Sequence, residues 1–192
     1  MSQLENTLKG IDLLHSQDPK KITVNGEEKA EELIYAENMS AVLSKVFDDP
    51  SDELKIAVRS QHLCRWEIPR SDYPMDRPGY LKWRTDLGKL HADKACEVMT
   101  KNGYSDDSIE KTRKIIRKQS LKTNPEAQAM EDCACLVFIE TGFLDFAKKY
   151  PEKKVIDIVQ KTWNKMSKRA QQEALKLELP QEALNLVKKA LS

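Results

Sequence analysis

The chain has only six glycines in 192 residues, and none of them builds a Gly-rich phosphate loop. No nucleotide-cofactor motif is therefore present. Net charge is also nearly absent, at a formal +1. Such a balance exerts no global pull on nucleic acid or membrane, so any electrostatic attraction must be local. The four cysteines, Cys64, Cys96, Cys133 and Cys135, include no C-x-x-C spacing. On a helix, Cys133 and Cys135 point to different sides and make a poor metal clamp. All four sit in apolar helical contexts, which predicts reduced, buried thiols in a cytosolic or nuclear protein. The N-terminus MSQLENTLKG lacks the basic-then-apolar pattern of a signal peptide. The longest apolar run, Cys133 to Ile139, is far too short to span a bilayer. The expectation is a soluble, cytoplasmic protein with no membrane partner.

What is present favours helix. Apolar residues make up 40% and charged residues 33% of the chain, the profile of a helix-rich globule. Leu4, Leu8, Ile11 and Leu14 recur at helical spacing and predict a first helix over residues 3–16. Residues 17–27 read as a loop, and a second helix follows over about 29–46. Ser51 caps a third helix, about 52–66, and Ser105 starts a fifth, about 106–119. Asn124-Pro125 opens a sixth, about 125–148, apolar nearly all round between Met130 and Phe146. Further helical stretches follow Pro151 and Pro180. No strand and no internal repeat is evident. The spacing predicts one all-α domain over residues 1–192, of about seven or eight helices.

The stretch Ile56–Cys96 concentrates the chemistry, with two of the three histidines and two of the three tryptophans. His62 is expected on the third helix, sharing a face with Val58 and Trp66. His91 is expected inward on a fourth helix, about 80–101, in a stripe with Leu87, Ala95 and Val98. Between them runs a loop, Glu67 to Gly79, too long to be a mere spacer. Arg65, Arg70, Arg77 and Arg84 gather around it. Glu131 and Asp132 lie on the apolar sixth helix, where a carboxylate needs a partner.

Two imidazoles and buried acids suit a divalent transition metal: manganese, iron, zinc or nickel. The candidate ligands are Glu37, His62, His91 and Asp132, each on its own expected helix. Glu131 or Asp132 would serve as general base. Arg65, Arg70, Arg77, Arg84 and Lys118 would hold an anionic small-molecule substrate through its phosphate. The plain alternative is a salt-bridged helical core in which histidine and arginine neutralise the two acids.

The segments SQHLCRWEIPRSDYP, RPGYLKWR, LHADKA, LKTNPEAQAMEDCACLVFIE and KTWNKMS resemble an uncharacterised, all-helical domain-of-unknown-function family over nearly the whole chain. That resemblance implies a fold and no settled activity. The rhythm HADKACEVMTKNGYSDDSIEKTRKIIRK followed by PEAQAMEDCACL also distantly resembles the HD-domain metal phosphohydrolases. It implies an HD-domain-like fold, with His91 and Asp132 at metal-ligand positions. The doublet of that family reads Gln61-His62 here, Tyr35 or Glu37 stands near its first histidine, and Lys118 replaces another. Lys165-Met166-Ser167-Lys168-Arg169 matches the lysine signature of class I aminoacyl-tRNA synthetases, glutamyl-tRNA synthetase included. That signature works against a nucleotide-binding parallel sheet and a second, histidine-bearing signature, and this sequence has neither.

The resulting expectation is a metal-dependent hydrolase of a phosphorylated small molecule or nucleotide. Its rival is a non-catalytic helical module that binds RNA or protein through the Arg/aromatic loop, residues 65–84.

Overall fold

The computed structural model describes residues 1–191, and they are mostly helical. α1 (Gln3–His15) begins with a reciprocal capping box between Ser2 and Glu5. A short antiparallel hairpin follows, β1 (Lys21–Val24) and β2 (Glu27–Ala30), where the sequence reads as loop. Asn25 and Gly26 turn it, with φ of 52° and 83°. Positive φ at both central residues is what a tight two-residue hairpin needs.

α2 (Glu31–Val46) follows β2 directly and has no cap from its own N-cap residue, Ala30. The buried Asp18 does that work from a distance: its carboxylate accepts from the backbone of Glu32 at 3.0 Å and of Lys20 at 2.9 Å. α3 spans Asp52–Arg59 under the Ser51 cap. It ends seven residues before the expected stop at Trp66, because the chain turns left-handed at His62 (φ 64°) and again at Cys64 (φ 56°). Non-glycine residues in that region cost roughly 1–2 kcal/mol each and need support from their surroundings.

The loop that follows is ordered. Two single 3₁₀ turns, Arg65–Glu67 and Arg70–Asp72, lead into α4 (Arg77–Lys101). Arg70 gathers the carbonyls of Tyr73, Pro74 and Asp76, and the indole of Trp83 donates to Ile68 O at 2.9 Å. Gly79 permits the close return of this loop, since a Cβ there would stand 2.1 Å from the Pro74 carbonyl oxygen. α5 (Asp106–Ile116) and α6 (Pro125–Val137) start at the expected caps, Ser105 and Asn124.

The chain divides by its contacts into two compact units, Met1–Met130 and the part from Glu131 onward. In the first, Ile11, Met39, Ile56, Leu63, Met99 and Ile115 are fully buried. In the second, the helix continuing from Glu131 widens into a π turn, Phe138–Gly142, and resumes as α7 (Phe143–Lys149). The single helix expected over 125–148 is thus interrupted. α8 (Glu152–Lys165), α9 (Lys168–Ala174) and α10 (Gln181–Leu191) complete this unit. Phe143, Val155, Val159, Ala183 and Ala190 form its core, with Phe138 edge-on to Phe143 and Phe146. Among the described residues, no helix is long and apolar enough to cross a membrane.

Candidate functional site

The first unit draws all three histidines toward one cluster. α1 brings His15, the turn after α3 brings His62, and α4 brings His91. The rings of His62 and His91 lie 6.1 Å apart, and Tyr35 of α2 stacks on His62 at 4.5 Å with a 14° tilt. His62 Nδ1 lies 3.1 Å from Glu32 Oε2, and its Nε2 lies 3.0 Å from Arg65 Nη1. Arginine has no lone pair to offer and can only donate. One tautomer therefore satisfies both neighbours: Nδ1–H donates to Glu32, and Nε2 accepts from Arg65.

His91 is also fixed in one tautomer. Its Nδ1–H donates to Leu63 O at 2.6 Å, so its Nε2 keeps the lone pair. Leu63 is the residue between the two left-handed positions, His62 and Cys64. His15 donates from Nε2 to the carbonyl of Arg59 at 2.9 Å, and its buried Nδ1 has no hydrogen-bond partner among the described residues.

The electrostatics are unusual for so few groups. Burial first, and then the charges of Arg65, Lys118 and Arg84, hold His62 well below the ordinary imidazole range. Burial pushes His91 down to about 3 and lowers His15 as well. Burial, aided by the neighbouring Asp18 and opposed by Arg65, raises Glu32 to about 7. At neutral pH the cluster therefore holds neutral imidazoles, a carboxyl group near its midpoint, and several cations. Lys118 has left-handed backbone too (φ 51°). Strained residues of this kind concentrate at functional sites.

The expected site residues are distributed as follows. His62, His91, Arg65, Arg84 and Lys118 belong to this cluster. Arg65 also lies over the Trp83 ring, 5.1 Å from its centroid, and Arg84 reaches Tyr80 Oη at 3.3 Å. Arg70 is committed to loop carbonyls, and Arg77 stands exposed at the start of α4. Glu37 is half exposed and lies 3.9 Å from Arg59. Glu131 and Asp132 fall in the second unit. There Asp132 accepts from Ser167 N at 2.8 Å and Ser167 Oγ at 2.6 Å, and Glu131 stands 3.7 Å from Lys165.

Spacing along the chain did not point to Glu32. Its burial comes from tertiary neighbours, and only its position three residues before Tyr35 hints at a shared face. Ser167 lies within the KMSKR stretch, where it is the N-cap of α9.

Among the described residues, no three His, Cys, Asp or Glu side chains converge as a group able to hold a metal ion. A metal would find the lone pair of His91 Nε2, but on His62 the matching nitrogen already faces the Arg65 cation. As arranged, these donors do not fit a metal unless Arg65 leaves. What the arrangement offers directly is a carboxylate–imidazole pair flanked by cations, suited to moving a proton beside a bound anion.

No curated protein and no solved structure matches the chain. A family model described as "Domain of unknown function (DUF4202)" matches residues 5–187. The span covers nearly all of the sequence, and the chain belongs to that family.

Proposed function

We propose that the cluster around His62 binds and hydrolyses a phosphorylated small molecule or nucleotide. One observation carries this reading: His62 lies between a carboxylate at 3.1 Å and a guanidinium at 3.0 Å. Glu32 would orient the ring and stabilise it when it gains a proton, and Nε2 would take that proton from water. Arg65, Arg84 and Lys118 would hold the phosphate. Charge-assisted bonds from arginine to phosphate are among the stronger polar contacts available to a protein.

A metal-dependent form of the reaction, an HD-domain-like ancestry and a cytoplasmic or nuclear setting belong to the same proposal. The HD-domain rhythm of the sequence supports the ancestry, the lone pair left on His91 Nε2 supports the metal once Arg65 has left His62, and four buried cysteine thiols support the setting. The rival RNA- or protein-binding module draws on the Arg/aromatic loop, but Arg70 of that loop is occupied by three carbonyls.

Screening the untagged protein against phosphate monoesters and nucleotides tests the proposal. Turnover that falls at least a hundredfold in both His62→Ala and Glu32→Gln supports it. Equal turnover in wild type and both variants removes it. A bound transition metal that His62→Ala and His91→Ala both release would shift the chemistry to a metal-assisted route. Salt-sensitive RNA binding without turnover would favour the rival.

A further inference from the structure

We propose that Arg65 is an anion-operated cover on His62, donating to the Nε2 lone pair in the free protein and leaving it for the phosphate of an arriving ligand. The proposal rests on the reading of this cluster as a phosphate site and adds its regulation.

The comparison between Arg59 and Arg65 motivates it. Arg59 is built into the fold: Nε and Nη2 grip the two oxygens of Asp12 at 2.6 and 2.9 Å, and Nη1 reaches Ser40 Oγ at 3.3 Å. Arg65, six residues on, has no carboxylate within ion-pair distance among the described residues. Its Nη1 spans the two ring nitrogens of His62, at 3.0 and 3.4 Å, and its guanidinium rests over Trp83. The nearby acid, Glu32, is bonded to His62 instead.

A half-buried guanidinium held by a neutral imidazole and an aromatic face is short of an anion. A phosphate offers two charged acceptors matched to its fork, against one neutral lone pair. The contact with Trp83 gives the side chain a resting surface through the exchange. Lys118 and Arg84 add attraction for the same anion. The other groups facing His62 are Glu32, His15, His91 and Tyr35, and none of them is a fixed cation.

The consequence is a base that stays capped until the ligand is in place. With Arg65 drawn off, Nε2 loses both its bond and an adjacent positive charge, and it becomes a better proton acceptor. Water or a ligand hydroxyl can then approach the vacated side.

The test is side-chain nitrogen NMR on the full chain, titrated with inorganic phosphate. Saturation should move the His62 Nε2 resonance and shift the Arg65 guanidinium signals in step with it. Arg65→Met keeps an apolar side chain over Trp83 but removes the donor. The free variant should already show the uncapped Nε2 signal, and its phosphate affinity should drop at least fivefold.

Phosphate that saturates the site, seen in the amides around Lys118, without moving either His62 Nε2 or Arg65 would overturn the cover alone. A complete absence of saturable phosphate shifts would remove the phosphate site itself and the cover with it. If Arg65→Met does not fold, as judged by circular dichroism, the wild-type titration decides by itself.

Discussion

His91 donates its Nδ1 proton to the carbonyl oxygen of Leu63 at 2.6 Å, and Leu63 is flanked on both sides by left-handed residues. A buried, neutral imidazole on a long helix thereby supports the strained turn that presents His62. His91→Ala should lower stability by about 2–3 kcal/mol, through lost packing and an orphaned carbonyl. His91→Asn places an amide donor near the same position and should recover part of that loss. Urea titration of both variants, with the His62 ring signals as a second readout, distinguishes support of the turn from simple filling of space.

The raised pKa of Glu32 sets a pH dependence for the proposed chemistry. Its carboxylate is needed to accept from His62 Nδ1, and it takes up a proton as pH falls through about 7. Phosphate-ester turnover should therefore rise from pH 6 to 8, and Glu32→Gln should flatten the profile as well as lower it. A turnover profile in Glu32→Gln with the wild-type inflection would assign that inflection to another group.

Acid stability follows from the three histidines with opposite sign. Each is held below its ordinary value in the fold, so the unfolded chain binds more protons below about pH 6.5. Stability should fall as pH drops from 6.5 toward 4.5. Glu32 opposes this trend over pH 4.5–7, because the folded state binds its proton more readily. The Tm should still be lower at pH 5 than at pH 7.5. Replacing His91 by Gln should reduce that difference.

The turn into α4 depends on a missing side chain. Gly79→Ala would drive a Cβ against the Pro74 carbonyl, which Arg70 also holds at 2.7 Å. The loop must open to relieve it. We expect a loss of about 2 kcal/mol or more, with a change in the fluorescence of Trp83, whose indole bonds this loop at Ile68.

In the second unit, Asp132 holds Ser167 by its backbone and its hydroxyl together. Asp132→Ala leaves both donors without that acceptor and should cost about 2–3 kcal/mol. Ser167→Ala removes one of the two bonds and the cap on Ala170 N, and should cost about 1 kcal/mol. Thermal melts of the two variants establish the order.

Helix starts were the most legible part of the sequence. Ser51, Ser105 and Asn124 are short-range signals, and the backbone obeys them. The hairpin was legible only at Asn25-Gly26, because its second strand, Glu-Glu-Lys-Ala, carries no apolar alternation. The convergence of His62 and His91 could be anticipated from their positions, but for the wrong reason. His62 is not on a helical face. It faces inward because the backbone reverses hand just beyond Arg59, which no periodicity encodes. Glu32 was invisible because its environment is assembled by Asp18, His15 and Arg65 from three other parts of the chain.

The π turn at Phe138–Gly142 bears on the apolar circumference that the sequence suggests between Met130 and Phe146. A wide turn inserts one residue without a full added rotation, offsetting whatever follows by about 100°. What looks in projection like one rod is thus two segments set at different azimuths: Met130–Val137, enclosed on every side apart from the half-buried Ala134, and a second that buries Phe143 while Asp145 stays exposed. Excising a single residue such as Thr141 would realign them and swing Phe143 out of its aromatic nest. The one-residue spacer therefore separates a segment enclosed on all sides from one that turns Asp145 and Lys148 to water.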